Sequence, residues 1–148
     1  MLYYESGKIR FGSVYVKIPD GVYIETQPEM SYEFGLVLVS PDESFQITIQ
    51  CDNEKKDALK YLNSVTRGVG YKHLDKPEQI QVNGLHGWQL RYGDIGDRSI
   101  YYEVVLDIPK TDEARILDIY VRIEHPTDRE SVINSRIIQE LLSGITIA

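Results

Sequence analysis

Alternation of apolar and polar positions runs through much of the chain and predicts β-strands. It occurs over residues 11–18, which lead into the Pro19-Asp20-Gly21 turn, and again over residues 45–51. Between them, residues 34–39 are apolar throughout, which is typical of a strand covered on both faces. The polar stretch 40–44 therefore predicts a hairpin between the second and third of these strands.

The second half of the chain continues the alternation after a predicted loop over residues 71–77. Asn83-Gly84 is the strongest hairpin signal in the chain and precedes a strand through Tyr92. Two long strands follow, over residues 99–108 and 115–124, and one face of this pair is uniformly apolar. The opposite face is mixed and carries Tyr101, Glu103, Val105 and Asp107 on one strand, and Ile116, Asp118, Tyr120, Arg122 and Glu124 on the other.

Two segments have helical spacing of their apolar residues instead. The first predicted helix covers about 54–67 and is capped by the Asp52-Asn53 dipeptide. The second covers about 128–143, where Thr127 and Glu130 have the spacing of a capping box. The chain therefore has strands, a helix, further strands and a closing helix.

This order of elements predicts an α+β fold with a mainly antiparallel sheet of about six or seven strands and two main helices. Neither repeats nor a linker interrupt the pattern, so residues 1–148 are predicted to form a single domain. Seven strands would make a sheet about 30 Å wide, whereas one helix covers roughly 10 Å of it. Part of one sheet face is therefore expected to lie open or under loops.

Charge and composition narrow the classes of partner. The 148 residues are 42% hydrophobic and 26% charged, with a formal net charge of −7. No segment has a substantial excess of Lys and Arg, so nucleic acid and anionic membranes are not expected as partners. No apolar run of about 18 residues predicts membrane insertion. We expect a cytoplasmic protein as the chain stands, or an extracytoplasmic one if a signal peptide has been removed.

No motif points to catalysis, a metal or a cofactor. Cys51 alternates in phase with apolar residues and is predicted to be a core residue. The three histidines, His73, His86 and His125, lack the spacing of metal ligands on a helix. Glu103 and Asp118 are predicted to face the same side of the sheet, and Glu103 is a possible cross-strand ion-pair partner of Arg122. The chain is therefore not expected to be an enzyme.

Tyrosine is the more informative signal, with eleven in the chain against one Trp and three Phe. Exposed tyrosines often mark recognition surfaces, because they bury a large area and keep a hydroxyl group for a partner. Tyr101, Glu103, Tyr120 and Arg122 share the mixed face and are the candidate partner-binding residues. The alternative is that these tyrosines simply pack under a loop or a helix.

Three segments also resemble a known fold family. They are the opening 11–21 segment, the 82–88 hairpin with Trp88, and the closing helix with its Leu141-Leu142-Ser143-Gly144 end. Together with the long strand pair they are similar to the PsbP-like fold of photosystem extrinsic proteins, Mog-type Ran-binding proteins and bacterial DcrB-type proteins. The resemblance implies an α/β/α sandwich acting as a non-catalytic binding or accessory module.

The leading hypothesis is thus a non-catalytic protein-binding or accessory module of bacterial origin, in which the acidic charge suits neutralising or chaperoning a basic partner. A second hypothesis is a small-ligand carrier or enzyme with a pocket between the sheet and the 70–77 loop. A third is a purely structural homo-oligomer, formed through an exposed strand edge. No cofactor is expected in the first case.

Overall fold

The computed structural model describes residues 3–5, 7–25, 35–67, 70–96, 98–124 and 127–148. These residues form an α+β fold, in which mostly antiparallel sheet is combined with three helices. In chain order the elements are β1 (Tyr3–Glu5), β2 (Lys8–Phe11), β3 (Val14–Lys17), β4 (Tyr23–Ile24), β5 (Gly35–Val39), β6 (Phe45–Asp52), α1 (Ala58–Thr66), β7 (Tyr71–His73), β8 (Glu78–Val82), β9 (Leu85–Asp94), β10 (Ile100–Asp107), β11 (Ile116–Ile123), α2 (Arg129–Ile133), α3 (Arg136–Ser143) and β12 (Ile145–Ile147).

Two antiparallel sheets are formed by the described strands. The larger has eight strands in the order β4-β5-β6-β11-β10-β9-β7, with β8 also paired to β9. The smaller has four strands in the order β1-β2-β3-β12. Strand β9 is long enough for β8 to pair with its first half and β7 with its end, both on the side away from β10.

The two faces of the large sheet contribute to different cores. One face packs its uniformly apolar positions with α2, α3 and the small sheet, and the principal residues are Phe11, Val14, Val16, Leu38, Ile47, Ile49, Val104, Leu106, Leu117, Ile119, Val121, Ile138 and Leu141. The other face packs against α1 in a smaller core of Ala58, Tyr61, Leu62, Leu90, Tyr92, Val105 and Ile116. Helix α1 contacts β9, β10 and β7, so the same face of β11 and β6 extends beyond it.

Several strand predictions are confirmed. Asn83 and Gly84 have φ angles of 48° and 84°, and two positive angles in a two-residue loop are the signature of a type I′ turn. The long strand pair is β10 and β11, in a register that joins Ile100 to Ile123 and Asp107 to Ile116. Strand β5 is buried at every position, as its continuous apolar run predicts.

The predicted start of the first helix is wrong by four residues. Asp57 accepts a hydrogen bond from the Lys60 backbone N–H at 2.9 Å, and the helix begins at Ala58. Asp52 is used differently, because its carboxylate accepts from the Glu54 backbone N–H at 2.6 Å and holds a turn ahead of the helix. The helix is therefore capped by Asp57, and the prediction that Asp52 or Asn53 caps it is wrong.

The prediction of one helix over 128–143 is also wrong, because the segment forms α2 and α3. Asn134 ends the first of them, and Ser135 caps the second by accepting from the Ile138 N–H at 3.4 Å. Asn and Ser compete with helical hydrogen bonds through their own side chains, which favours caps over helix interiors. The apolar spacing continues across the break and could not reveal it.

The cap of α2 differs from the predicted one as well. Asp128, not Thr127, accepts from the Glu130 backbone N–H, at 3.1 Å. The Glu130 carboxylate lies 3.2 Å from Arg91 Nε of β9. Glu130 thus joins the closing helix to the sheet and does not complete a capping box.

Three further segments depart from the strand pattern that the sequence predicts. Residues 11–18 contain a turn, since Gly12 has a φ of 58° and separates β2 from β3. The segment predicted as a loop from residue 71 begins with β7, which pairs with β9. The chain after Gly144 forms β12 against β3. Each of these short strands gains its hydrogen bonds from a distant partner, which local alternation does not show.

Among the described residues, no helix is both long and apolar enough to cross a bilayer.

Candidate functional site

The mixed face of β10 and β11 forms a small cleft next to α1. We call it the tyrosine cleft; its lining residues are Gln50, Val65, Tyr71, Tyr92, Tyr101, Glu103, Asp118 and Tyr120. Its volume is about 240 Å³. The lining residues come from strands β6, β7, β9, β10 and β11 and from the last turn of α1. The cleft therefore exists only in the folded chain.

Strand register decides which side chains meet in this cleft. Glu103 lies opposite Tyr120, which makes Asp118 its diagonal neighbour on the adjacent strand. Arg122 lies opposite Tyr101, so the predicted cross-strand pair of Glu103 and Arg122 is wrong. Arg122 instead donates to Ser99 Oγ at 3.1 Å and lies 3.7 Å from a Glu124 carboxylate oxygen. The prediction that Glu103 and Asp118 share a side of the sheet is confirmed.

The floor of the tyrosine cleft is a buried pair of carboxyl groups. Glu103 and Asp118 are 2% and 1% exposed. Tyr92 donates its hydroxyl hydrogen to Glu103 Oε1 at 2.7 Å. Asp118 Oδ2 accepts from Gln50 Nε2 at 2.9 Å and from the Tyr61 hydroxyl at 3.3 Å. Asp118 Oδ1 is buried and accepts from no N–H or hydroxyl group among the described residues.

Burial makes it unfavourable for both carboxyl groups to be charged. It raises the pKa of Glu103 well above the ordinary value, and the neighbouring Asp118 raises it further. Burial also raises the pKa of Asp118, although hydrogen bonds from Glu103, Gln50 and Tyr61 oppose this effect. Burial and mutual repulsion therefore favour a proton shared between the two groups, with Glu103 as the donor and Asp118 as the acceptor.

Aromatic rings form the wall of the tyrosine cleft. Tyr92 and Tyr101 are cross-strand neighbours and stack with their ring centroids 5.0 Å apart and an interplanar angle of 10°. Tyr71 stands nearly perpendicular to both rings, at 5.4 Å and 6.0 Å between centroids. Tyr120 completes the lining from β11.

The four residues predicted for partner binding do not have equal exposure. Tyr101, Tyr120 and Arg122 are partly exposed, whereas Glu103 is buried at the floor. The sequence analysis missed Tyr61, Tyr71 and Tyr92 as parts of the same site. Tyr92 was detectable, because alternation along its strand places it in phase with Trp88 and Leu90. No strand alternation marks Tyr71, because its segment is predicted to be a loop.

A second, larger cleft of about 810 Å³ lies between α1 and the 71–77 segment. Its lining residues are Leu59, Asn63, Thr66, Arg67, Tyr71, His73, Lys76, Pro77 and Trp88. His73 Nε2 lies 2.9 Å from Thr66 Oγ1, which links the segment to the end of the helix. Arg67 and Lys76 are charged, and none of the described lining residues is a carboxylate. We call it the α1 cleft.

The other candidate residues from the sequence do not form a reactive or metal-binding site among the described residues. Cys51 is half-buried and packs against the larger core, and burial raises the pKa of its thiol, which disfavours the reactive thiolate. No cluster of three or more His, Cys, Asp or Glu among the residues described could hold a metal ion. His125 lies outside the described residues.

Comparison with known proteins gives a result only at the level of structure. No protein-family model matches the chain, and no curated protein matches it in sequence. Among solved structures it is similar to LpqN of Mycobacterium tuberculosis, a protein involved in cell envelope biogenesis. That match has 15% identity and a TM-score of 0.63, and covers 100% of this chain and 90% of LpqN.

Two further structures are similar to this chain. The Ran-binding protein Mog1p of Saccharomyces cerevisiae matches with 12% identity and a TM-score of 0.55, over 91% of this chain and 90% of Mog1p. A protein of Bacteroides thetaiotaomicron matches with 7% identity and a TM-score of 0.53, over 91% of this chain. The chain spans only 45% of that protein's length. Likeness at these identities concerns the fold, and the chain has the PsbP-like fold of the Mog and DcrB types.

Proposed function

We propose that this protein is a non-catalytic binding module which receives a basic protein partner on the mixed face of β10 and β11. The observation that carries the proposal is the tyrosine cleft, where partly exposed Tyr101 and Tyr120 stand over a floor of two buried carboxyl groups. Tyr101 and Tyr120 keep part of this face in contact with solvent beside helix α1. The fold supports a binding role, because Mog1p, which shares it, is a Ran-binding protein.

Charge and side-chain chemistry both favour a basic partner. The protein has a formal net charge of −7, which attracts cationic proteins over long range. Tyrosine contributes a large contact area with few rotatable bonds and is enriched at protein interfaces. Neutralising or chaperoning a cationic bacterial protein is the role we assign to this face. An α/β/α sandwich with helices on both faces of the large sheet is the scaffold in this proposal.

Selection of random displayed peptides on the immobilised protein tests the proposal. We expect the enriched peptides to carry a surplus of Lys and Arg, and to bind the Tyr101→Ala and Tyr120→Ala variants about tenfold or more weakly. Tyr23→Ala is the matched control, since Tyr23 is 44% exposed on β4 and lies outside the tyrosine cleft.

Two outcomes would overturn this assignment. Peptides whose binding is unaffected by Tyr101→Ala and Tyr120→Ala would place recognition elsewhere on the molecule. Self-association of the pure protein in analytical ultracentrifugation, without peptide enrichment, would favour the structural homo-oligomer formed through a strand edge.

The α1 cleft supports a second candidate function, the carriage of a small ligand. Its volume of about 810 Å³ lies within the usual range of about 300–1,000 Å³ for small-molecule sites. Trp88, Leu59 and Pro77 offer apolar surface, while Arg67 and Lys76 are unopposed by a carboxylate in the lining. The ligand that fits this lining is an aromatic or aliphatic anion.

Trp88 is the only tryptophan in the chain, so its fluorescence reports directly on the α1 cleft. Titration with anilinonaphthalene sulfonate and a series of aromatic carboxylates should change this emission saturably if the cleft is a carrier site. Arg67→Ala and Lys76→Ala should weaken binding about tenfold, whereas Lys60→Ala, an exposed cation on the same helix, should not. An emission that no anion changes would remove this candidate.

A further inference from the structure

The floor of the tyrosine cleft offers carboxyl oxygens as hydrogen-bond acceptors, and several of the neighbouring donors already bond to them. Tyr92 and Tyr61 already donate their hydroxyl hydrogens to Glu103 and Asp118. Gln50 donates its amide N–H to Asp118 as well. A group that brings only donors therefore fits this floor, whereas phosphate and carboxylate groups bring only acceptors and are repelled.

One acceptor at the floor is left without an N–H partner. Asp118 is 1% exposed, and its Oδ1 atom accepts from no N–H or hydroxyl among the described residues. A buried carboxylate oxygen without a donor is unfavourable, so a ligand that brings an N–H donor to it would be stabilised. Among the described residues, no Lys, Arg or His lines the cleft.

The wall of the tyrosine cleft is aromatic, a composition that suits organic cations. Tyr71 stands at 85° to Tyr92 and at 86° to Tyr101, so aromatic rings border the cleft in two perpendicular orientations. The electron-rich faces of such rings attract ammonium groups placed within about 6 Å of the ring centroid, and aromatic cages recognise methylated amines in this way. A cation in this cleft would thus be attracted both by the phenol rings and by a buried carboxylate.

Size and access limit the ligand to a single side chain. The cleft volume of about 240 Å³ is below the range of about 300–1,000 Å³ that holds most small-molecule ligands. Val65 and Tyr71 line it and are each 38% exposed, so it is reached from the surface of the protein. A long unbranched side chain can place its terminal group at the floor from there.

We propose that the tyrosine cleft binds the side-chain ammonium of a lysine, free or methylated, presented by the partner, with Asp118 and Glu103 as counter-ion. This inference rests on the proposed function, since the lysine belongs to the bound protein. The lysine would be the residue of the partner that enters the cleft. A lysine is favoured over a free metabolite amine because the cleft is small and opens onto the surface where the partner would lie.

An ammonium placed beside the pair lowers the pKa of its protonated carboxyl group, because a nearby cation favours the charged carboxylate, and the proton leaves to solvent. Binding should therefore release up to one proton and become tighter as pH rises through the range in which the free pair is protonated. The other titratable groups that face the pair are Tyr61 of α1, Tyr71 of β7, Tyr92 of β9, Tyr120 of β11 and the carboxylate of Asp52 on β6. Burial raises the pKa of Tyr61 and Tyr92, so these phenols stay neutral throughout.

The test uses blocked amino acids as probes of the whole protein. Calorimetry would measure Nα-acetyl-lysine methylamide and its trimethyl form against the norleucine analogue, which has the same length and no charge. We expect both lysine probes to bind more tightly than norleucine by about tenfold or more. Titration in two buffers of different ionisation enthalpy would show proton release by the unmodified protein, and this readout needs no variant.

Asp118→Asn should abolish the preference for lysine, whereas Asp112→Asn, in the exposed turn before β11, changes the same charge away from the cleft and should leave it intact. Equal binding of lysine and norleucine, or lysine binding without proton release, would overturn the inference. If the lysine probes fail while Tyr101→Ala still weakens a selected peptide, the inference fails and the proposed function stands. If the probes bind but no basic peptide is selected, the proposed function fails instead.

Discussion

At the scale of single residues, the unusual feature is the burial of Glu103 and Asp118 next to each other. Carboxyl groups are rarely buried unless they are paired, because an isolated charge loses its hydration. Here Tyr92, Tyr61 and Gln50 provide hydrogen bonds, and the shared proton removes one of the two charges. The folded state consequently binds a proton at this pair more tightly than the unfolded chain does.

This difference predicts an unusual pH dependence of stability. Because the pKa of Glu103 is raised in the folded protein above its ordinary value of 4.5, the folded state binds more protons than the unfolded state above that pH. The free energy of unfolding should therefore fall as pH rises from about 4.5, by up to about 1.4 kcal/mol per pH unit, until the folded-state pKa is passed.

The measurement is urea unfolding of the wild type and of Glu103→Gln across about pH 5–8, which lies above the ordinary pKa of a glutamate side chain. Glutamine keeps the shape of the side chain and cannot ionise, so the variant should lose this component of the slope. Glu78→Gln, at an exposed position on β8, should keep it. Parallel pH profiles for the wild type and Glu103→Gln would contradict the shared proton.

At the scale of elements, β9 organises the side of the sheet that carries the site. It pairs with β10 on one side and with β7 and β8 on the other. Gly87 lies opposite Leu106 on β10 and opposite Ile80 on β8. A Cβ atom at Gly87 would overlap the Val105 carbonyl oxygen and come within 2.7 Å of Leu106 Cδ2. The strands can approach this closely only because residue 87 has no side chain.

Gly87→Ala should accordingly destabilise the protein by about 1–3 kcal/mol, since overpacking forces strands apart. Gly93→Ala on the same strand is the matched control, because the nearest atom to its added Cβ would be the Ser99 carbonyl oxygen at 3.8 Å. It should stay within about 0.5 kcal/mol of the wild type. Chemical unfolding of both variants decides the matter, and equal stabilities would show that β9 can move away from β10 without cost.

Local sequence patterns predict some of the helices and strands and miss others. The long strands and the Asn83-Gly84 turn were predictable, because alternation and turn chemistry act between near neighbours in the chain. The division of residues 128–143 into α2 and α3 was not, since helical apolar spacing continues past Asn134 and Ser135. Strands β7 and β12 were missed because they are short, and their hydrogen bonds come from β9 and β3.

At the scale of the whole molecule, the fold is shared with proteins that are 7–15% identical to this chain. Identities this low preserve apolar positions and turns, which specify packing, while functional side chains are free to differ. The tyrosine cleft is therefore argued from this chain's own side chains and not from the fold. The net charge of −7 adds a long-range preference for cationic partners, which salt should weaken.

The amino-acid sequence by itself determined the α+β class, the long antiparallel pair, the acidic charge and the shared side of Glu103 and Asp118. These features depend on local periodicity and on composition, which are readable without coordinates. Only the tertiary structure decided that Glu103 lies opposite Tyr120 and not Arg122, and that Tyr61, Tyr71 and Tyr92 join the same cleft. The physical reason is that strand register and the placement of α1 are set by packing between distant segments, which no local pattern contains.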